Sequence, residues 1–189
     1  MSRSLIKLAK NLKQKKHRQK EQRFIIEGAK MLEEAKKVET SLNTAIVETY
    51  IHCEEPQVLN SWDSLRISQR EMNTISSLTT PPGELAICRM QNTQDLNTST
   101  IIYLDRMRDP GNLGTLLRLA DWFGDTAVAL SEGCVDPYNP KVIQSSMGAI
   151  LRVPFNTIDQ DFLESKRKLG YSIFAGHMEG EAVVARKVW

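Results

Sequence analysis

Long apolar runs are missing from this chain of 189 residues. None reaches the roughly 18 residues that a helix needs to cross a bilayer, so no membrane-spanning helix is expected. The basic start is not followed by a continuous apolar core and a small-residue cleavage site, which argues against a secretory leader. Cysteine is scarce: Cys53, Cys88 and Cys134 lie far apart and form no CxxC pair, so neither a disulfide framework nor a zinc site is expected. That usage points to a reducing, intracellular compartment, with the cytoplasm as the expected location. His17, His52 and His177 have no metal-ligand spacing, and Asp105, Asp109, Asp121 and Asp125 are too scattered to suggest a metal. The GNLG stretch at 111–114 is not GxGxxG, so a dinucleotide fingerprint is absent. Ser145 and Ser146 lack a GxSxG elbow and a neighbouring His, which excludes the usual nucleophilic hydrolase.

What is present is an ordinary globular composition, 41% hydrophobic and 25% charged, with a net charge of +2. The charge is unevenly placed. Residues 1–23 hold nine Lys or Arg and one acid, and the remainder carries a balance of −6. Clustered cations suit a polyanion, because each phosphate they neutralise releases condensed counterions. A solvated arm is the plainer reading of the same run.

The hydrophobic pattern predicts two blocks. In 4–13, Leu5, Leu8 and Leu12 recur at helical spacing, and 13–23 is too polar for a core. A strand is expected at 24–28, a helix at 29–38, strand-forming segments at 44–51 and 56–60, a helix in 65–78 opened by Ser68 and Glu71 as a capping box, and a strand at 84–90. The polar, aperiodic 91–100 reads as a linker between a domain over 1–90 and a second over 101–189. In the second block the expectations are a buried parallel strand at 101–105, a loop at 106–114, a helix at 115–123 burying Leu116, Leu119, Ala120 and Phe123, and a strand at 126–130. A helix at 139–148, a strand at 149–155, a helix at 159–170 and a strand at 171–176 complete the alternation. Trp122 is expected to be buried. The fold class is α/β with a mostly parallel sheet.

The most informative stretch is 109–124, DPGNLGTLLRLADWFG, which joins a strand end to the next helix, the edge where open α/β sheets bind ligands. Its glycines are expected to shape a turn that a ligand can approach. Arg118, set among leucines, either awaits an anion, snorkels to the surface or pairs with Asp121 or Asp105.

Three segments carry a family resemblance. Asn112, Gly114, Arg118, Ala120, Phe123 and Gly124 resemble the first signature of the SpoU/TrmH branch of the SPOUT RNA methyltransferases. Residues 136–155, with NPK opening a helix and S-x-G before the next strand, resemble the segment that follows. Residues 15–28 look like the start of that family's N-terminal substrate-binding domain, a ribosomal-protein-like α/β RNA-binding fold. The resemblance implies methyl transfer from S-adenosylmethionine to a ribose 2′-hydroxyl of RNA, most often ribosomal RNA, by a homodimer without metal. It makes Asn112 and Arg118 the catalytic candidates and Lys15, Lys16, Arg18 and Arg23 the RNA-contact candidates. Two later family signatures, which build the donor pocket and a trefoil knot, are absent before the sequence stops at VVARKVW. The second block is therefore expected to be a partial SPOUT domain with an exposed sheet edge, low stability or self-association, and no donor binding. The alternatives are a non-catalytic RNA-binding protein and an unrelated doubly wound enzyme that takes a phosphate-bearing metabolite at the 109–114 loop.

Overall fold

The computed structural model describes residues 2–42, 45–55, 62–91, 95–176 and 178–179. They form two compact units, Met1–Thr157 and Ile158–Trp189. The strand-forming segment expected at 56–60 lies outside the described residues.

The first block of the larger unit begins with α1 (Ser2–Asn11). Ala9 and the following Leu12 are buried, with Leu5 and Leu8 beside them, against Ile51, Met72, Ile75, Leu85 and Ile87. The polar run that follows is a helix, α2 (Lys15–Glu21). It is followed by β1 (Arg23–Glu27), which buries Phe24 and Ile26 by strict alternation, and α3 (Ala29–Leu42), which buries Met31, Leu32, Ala35 and Val38 at helical spacing. Then come β2 (Val47–His52), β3 (Ser64–Arg66), α4 (Gln69–Ile75) and β4 (Glu84–Arg89). The capping box is present: the Ser68 hydroxyl accepts from the Glu71 N–H at 3.3 Å, and the Glu71 carboxylate accepts from the Ser68 N–H at 2.9 Å. The sheet order is β1-β4-β2-β3, antiparallel except for the β2–β3 pair.

The second block holds β5 (Thr100–Leu104), α5 (Pro110–Phe123), β6 (Thr126–Leu130), α6 (Pro140–Ser146), a 3₁₀ turn (Ala149–Leu151) and β7 (Phe155–Thr157). Its three strands are parallel in the order β5-β6-β7. An α/β class with a parallel sheet is what the sequence pattern predicts. The two blocks share one hydrophobic cluster, in which Phe24, Ile26 and Leu32 of the first meet Leu113, Leu117, Val128 and Tyr138 of the second. The Phe24 and Tyr138 rings lie 4.7 Å apart. In the predicted linker, the Gln91 N–H donates to the Tyr138 hydroxyl at 3.0 Å.

Several expectations are corrected. Only β6 is buried throughout; β5 is an outer strand whose Tyr103 is exposed, because it pairs on one side alone among the described residues. The loop expected at 106–114 is shorter. Asp109 caps α5 through the Asn112 N–H at 2.7 Å, and Pro110 takes the first helical position, where its missing N–H costs nothing. Starting the helix five residues earlier reveals its true inward stripe, Leu113, Gly114, Leu117 and Ala120. Leu119, Phe123 and Trp122 face outward, Trp122 at 85% exposure. Gly111 and Gly114 are thus helical, and Gly114 serves a protein contact: a Cβ there would stand 2.0 Å from the Ser145 Oγ and 2.9 Å from the Ser145 carbonyl carbon of α6.

The strand expected at 149–155 is mostly a 3₁₀ turn. Met147 and Gly148 both take positive φ, 50° and 95°, which turns the chain sharply, and a Cβ on Gly148 would press on Glu34 of α3 at 2.9 Å. Ala149, Ile150 and Leu151 are all buried, which is why this turn has the apolar look of a strand. In the smaller unit, α7 (Phe162–Lys168) has Asp161 at its N-cap position without a side-chain cap hydrogen bond, and Lys166 sits over the Phe162 and Tyr171 rings. Residues 171–176 form no strand, and Ile173 and Phe174 are exposed.

Replacing Gly114 with Ala is expected to lower stability by about 1–3 kcal/mol, the usual cost of overpacking. Urea unfolding checks this, with the exposed Thr115→Ala as the neutral reference and Ser145→Gly added to Gly114→Ala as the partial rescue.

Candidate functional site

Helix α5 presents the catalytic candidates. Asn112 stands exposed in its first turn, near the carboxyl end of β5. Arg118 is exposed farther along and has no hydrogen bond or ion pair among the described residues. The two carboxylates that could have satisfied it are held by other arginines. Asp121 accepts from Arg152 at 2.7 and 3.0 Å, and Asp105 from Arg106 at 3.1 Å. Arg152 also reaches Glu34, tying α3 to α5. The hydrogen bond to Asp121, opposed by burial and aided by Glu34, holds the Arg152 guanidinium more firmly protonated than usual. The Arg106 hydrogen bond likewise lowers the Asp105 carboxyl below its ordinary range.

Arg118 borders an open groove of about 580 Å³ with Thr115, Leu119, Trp122 and Met147. At 100° and 1.5 Å per residue, Asn112 and Arg118 are about 120° apart around α5 and about 9 Å along it. One α5 therefore does not present both side chains to one point. The apolar stripe Leu119, Trp122 and Phe123 lies between and beside them.

The four RNA-contact candidates divide. Lys15 and Lys16 are exposed on α2 without a partner among the described residues. Arg23 pairs with Glu48, which raises its affinity for its proton and engages its guanidinium. Arg18 corrects the expectation that residues 13–23 stay out of the core. It is 3% exposed, bonds Asp136 at 2.5 and 3.1 Å, and donates to the carbonyls of Leu12 and Lys13. A guanidinium so enclosed needs its carboxylate and carbonyl partners. It pins α2 to the loop after β6 and offers no face to solvent.

The sequence reading passed over Arg106 and Arg108, exposed in the short connection from β5 to α5. Their signal was available: two arginines in the DRMRD turn just before the Asn112 helix. Cys88 is fully buried, which pushes its thiol well up and leaves it unreactive. Among the described residues no group of His, Cys, Asp or Glu could hold a metal, and no helix is long and apolar enough to cross a membrane.

Residues 99–188 match the SpoU rRNA methylase family and residues 3–86 the MRM3-like substrate binding domain. The chain belongs to the SpoU rRNA methylase family. It is 31% identical over 182 residues to rRNA methyltransferase 3, mitochondrial, of Xenopus laevis, covering 90% of this chain and 43% of that protein. It is 30% identical over 149 residues to the 23S rRNA (guanosine(2553)-2′-O)-methyltransferase RlmP of Bacillus subtilis, covering 77% and 58%. Among solved structures, an AdoMet-bound rRNA methyltransferase from Sinorhizobium meliloti superposes with a TM-score of 0.71 at 26% identity, covering 88% of this chain and 66% of that one. A protein assigned to the TrmH family of RNA methyltransferases from Porphyromonas gingivalis gives a TM-score of 0.74 at 30% identity, covering 87% and 66%. The chain thus spans about half the length of the first two relatives and two thirds of these structures.

Arg18→Ala is expected to destabilise the chain by about 3 kcal/mol, since it empties an enclosed site and leaves the largely covered Asp136 carboxylate without its guanidinium. Chemical denaturation measures it, and Lys16→Ala should leave the midpoint unchanged.

Proposed function

We propose that this chain binds ribosomal RNA and supplies the substrate-activating arm of a 2′-O-ribose methyltransferase that uses S-adenosylmethionine as methyl donor. The observation that carries the reading is Arg118, exposed and uncompensated while Asp121 and Asp105 are each held by another arginine. Family membership over 99–188 and the substrate-binding match over 3–86 support it. In this reading residues 3–86 capture RNA and the α5 block acts on it.

Transfer to a ribose oxygen requires negative charge to develop on that oxygen. Arg118 holds the adjacent phosphate and stabilises that charge, an electrostatic role aimed at the transition state. It does not act as a base, because a guanidinium keeps its proton below pH of about 12. Asn112, whose amide both donates through its NH₂ and accepts through its carbonyl oxygen, orients the ribose or its loop. The described residues do not by themselves fit the donor. Near Asn112 the carboxylates of Asp109 and Asp105 are engaged by the helix cap and by Arg106, and Arg106 and Arg108 repel a sulfonium cation.

The partner in this reading is RNA together with a second copy of the chain. Leu119, Trp122, Phe123 and Met147 are exposed apolar groups beside Arg118, at 44, 85, 72 and 41%, and a two-fold contact covers such a patch on both copies at once. The compartment is one that holds ribosomes. We infer the cytoplasm, as for the bacterial relative, although related proteins carry mitochondrial names.

Incorporation of labelled methyl from S-adenosylmethionine into undermethylated ribosomal RNA tests the activity. Arg118→Ala and Arg118→Lys are both expected to lose about 10²-fold or more, because a point charge does not replace a planar fork. Near-full activity in Arg118→Lys overturns the clamp. Salt-dependent RNA binding with no incorporation by the native chain replaces the reading with that of a non-catalytic RNA-binding protein. Sedimentation velocity is expected to show a dimer that Trp122→Asp converts to monomer.

A further inference from the structure

A second cleft, of about 470 Å³, opens between α2 and the carboxyl ends of β6 and β7. Its volume is in the range of small-ligand sites, and its place, past the carboxyl ends of parallel strands, is where open α/β sheets receive ligands. One wall is α2. Lys15 and Gln19 line the cleft at i and i+4 of the helix, and Gln22, its left-handed C-cap, lines it next, with one side-chain N–H donated to the Gln19 carbonyl at 2.7 Å. Lys15 has no partner among the described residues, and the Gln19 side chain has none either. The opposite wall is the loop after β6, with Glu132 and Cys134, and Phe155 lies at the floor with its ring 5.5 Å from Tyr138. The buried Arg18–Asp136 bridge joins the two walls, because Arg18 belongs to α2 and Asp136 to that loop. The cleft is therefore held open in advance of any ligand.

We propose that this cleft seats one unpaired ribonucleotide of the RNA, flanking the nucleotide that is modified, and reads its base. The proposal rests on the RNA reading above and names a recognition pocket for it. The chemistry of the walls is that of a nucleotide. The Lys15 ammonium suits a phosphate as a mobile point charge. The amide groups of Gln19 and Gln22 donate to and accept from a base edge, and the Glu132 carboxylate accepts from the amino or ring N–H groups of a base. Phe155 offers an aromatic surface for the base face, the usual platform for splayed single-stranded RNA. An A-form duplex keeps its bases stacked and has no base to place there. The basic run thus has two jobs on one short helix: Arg18 builds the wall and Lys15 uses it.

Cys134 serves as the reporter because its thiol lines the cleft, donating to the Leu104 carbonyl at 3.3 Å. In a Cys53→Ser chain, with Cys88 fully buried as the internal control, N-ethylmaleimide modification of Cys134 is followed with and without a short single-stranded oligoribonucleotide. With RNA at ten times its Kd, modification is expected to slow about tenfold. The same sequence annealed into a duplex is expected to protect little. By fluorescence anisotropy, Lys15→Ala is expected to lower the slope of log affinity against log salt by about 0.7, one phosphate contact on a single strand. Gln19→Ala with Gln22→Ala is expected to keep that slope and flatten the preference among homopolymers. Tight RNA binding with unprotected Cys134 and an unchanged slope in Lys15→Ala overturns the pocket and leaves the RNA reading standing. No RNA binding at low salt overturns both.

Discussion

At Gly114 the backbone of α5 comes so close to Ser145 of α6 that no side chain fits between them. This contact fixes the rotation of α5 about its axis. With Gly114, Leu113, Leu117 and Ala120 turned inward, the outer face is settled by geometry, and it carries Thr115, Arg118, Leu119 and Trp122. An arginine and a run of large apolar groups thus share solvent on one helix. Neither is stable as an isolated arrangement: the apolar groups lose water-excluding contacts, and the charge has no counterion among the described residues. Both point outward to partners.

Arginine pairing decides which cations remain available. Particular acids are held by particular arginines: Asp121 and Glu34 by Arg152, Asp105 by Arg106, Asp136 by Arg18, and Glu48 by both Arg23 and Arg89. Burial works against the Glu48 carboxylate, yet its two arginines hold it below its ordinary range. What is left over, Arg118, Arg108, Lys15 and Lys16, is exposed. Formal net charge near neutrality hides this selection. Arg118, Arg108, Lys15 and Lys16 face solvent with no carboxylate partner among the described residues, which suits a surface made for phosphates.

Much of the fold was legible because its signals are local. The Ser68–Glu71 capping box, the alternation in β1 and the helical period of α3 each act over a few residues, and each element formed where expected. The failures share a cause too. For α5 the glycines at 111 and 114 look like a loop, but the Asp109 cap starts the helix at Pro110 and moves most of its inward stripe to Leu113, Gly114 and Leu117. Residues 149–151 carry the apolar look of a strand, but positive φ at Met147 and Gly148 turns them into a 3₁₀ turn beside α3. Of the candidate site residues, Asn112 and Arg118 stand out in the sequence by motif and charge. Arg18 was placed in solvent because nothing nearby in the chain announces Asp136, 118 residues away.

The sequence by itself determined the basic start, the α/β class, several individual elements such as β1, α3, α4 and β6, and the membership of the family, since these rest on short-range pattern and on matched motifs. Only the tertiary structure decided which arginine is buried, which is free, and which face of α5 meets water. Those outcomes depend on which carboxylate lies within about 3 Å of which guanidinium, a distance set by packing between blocks far apart in the chain.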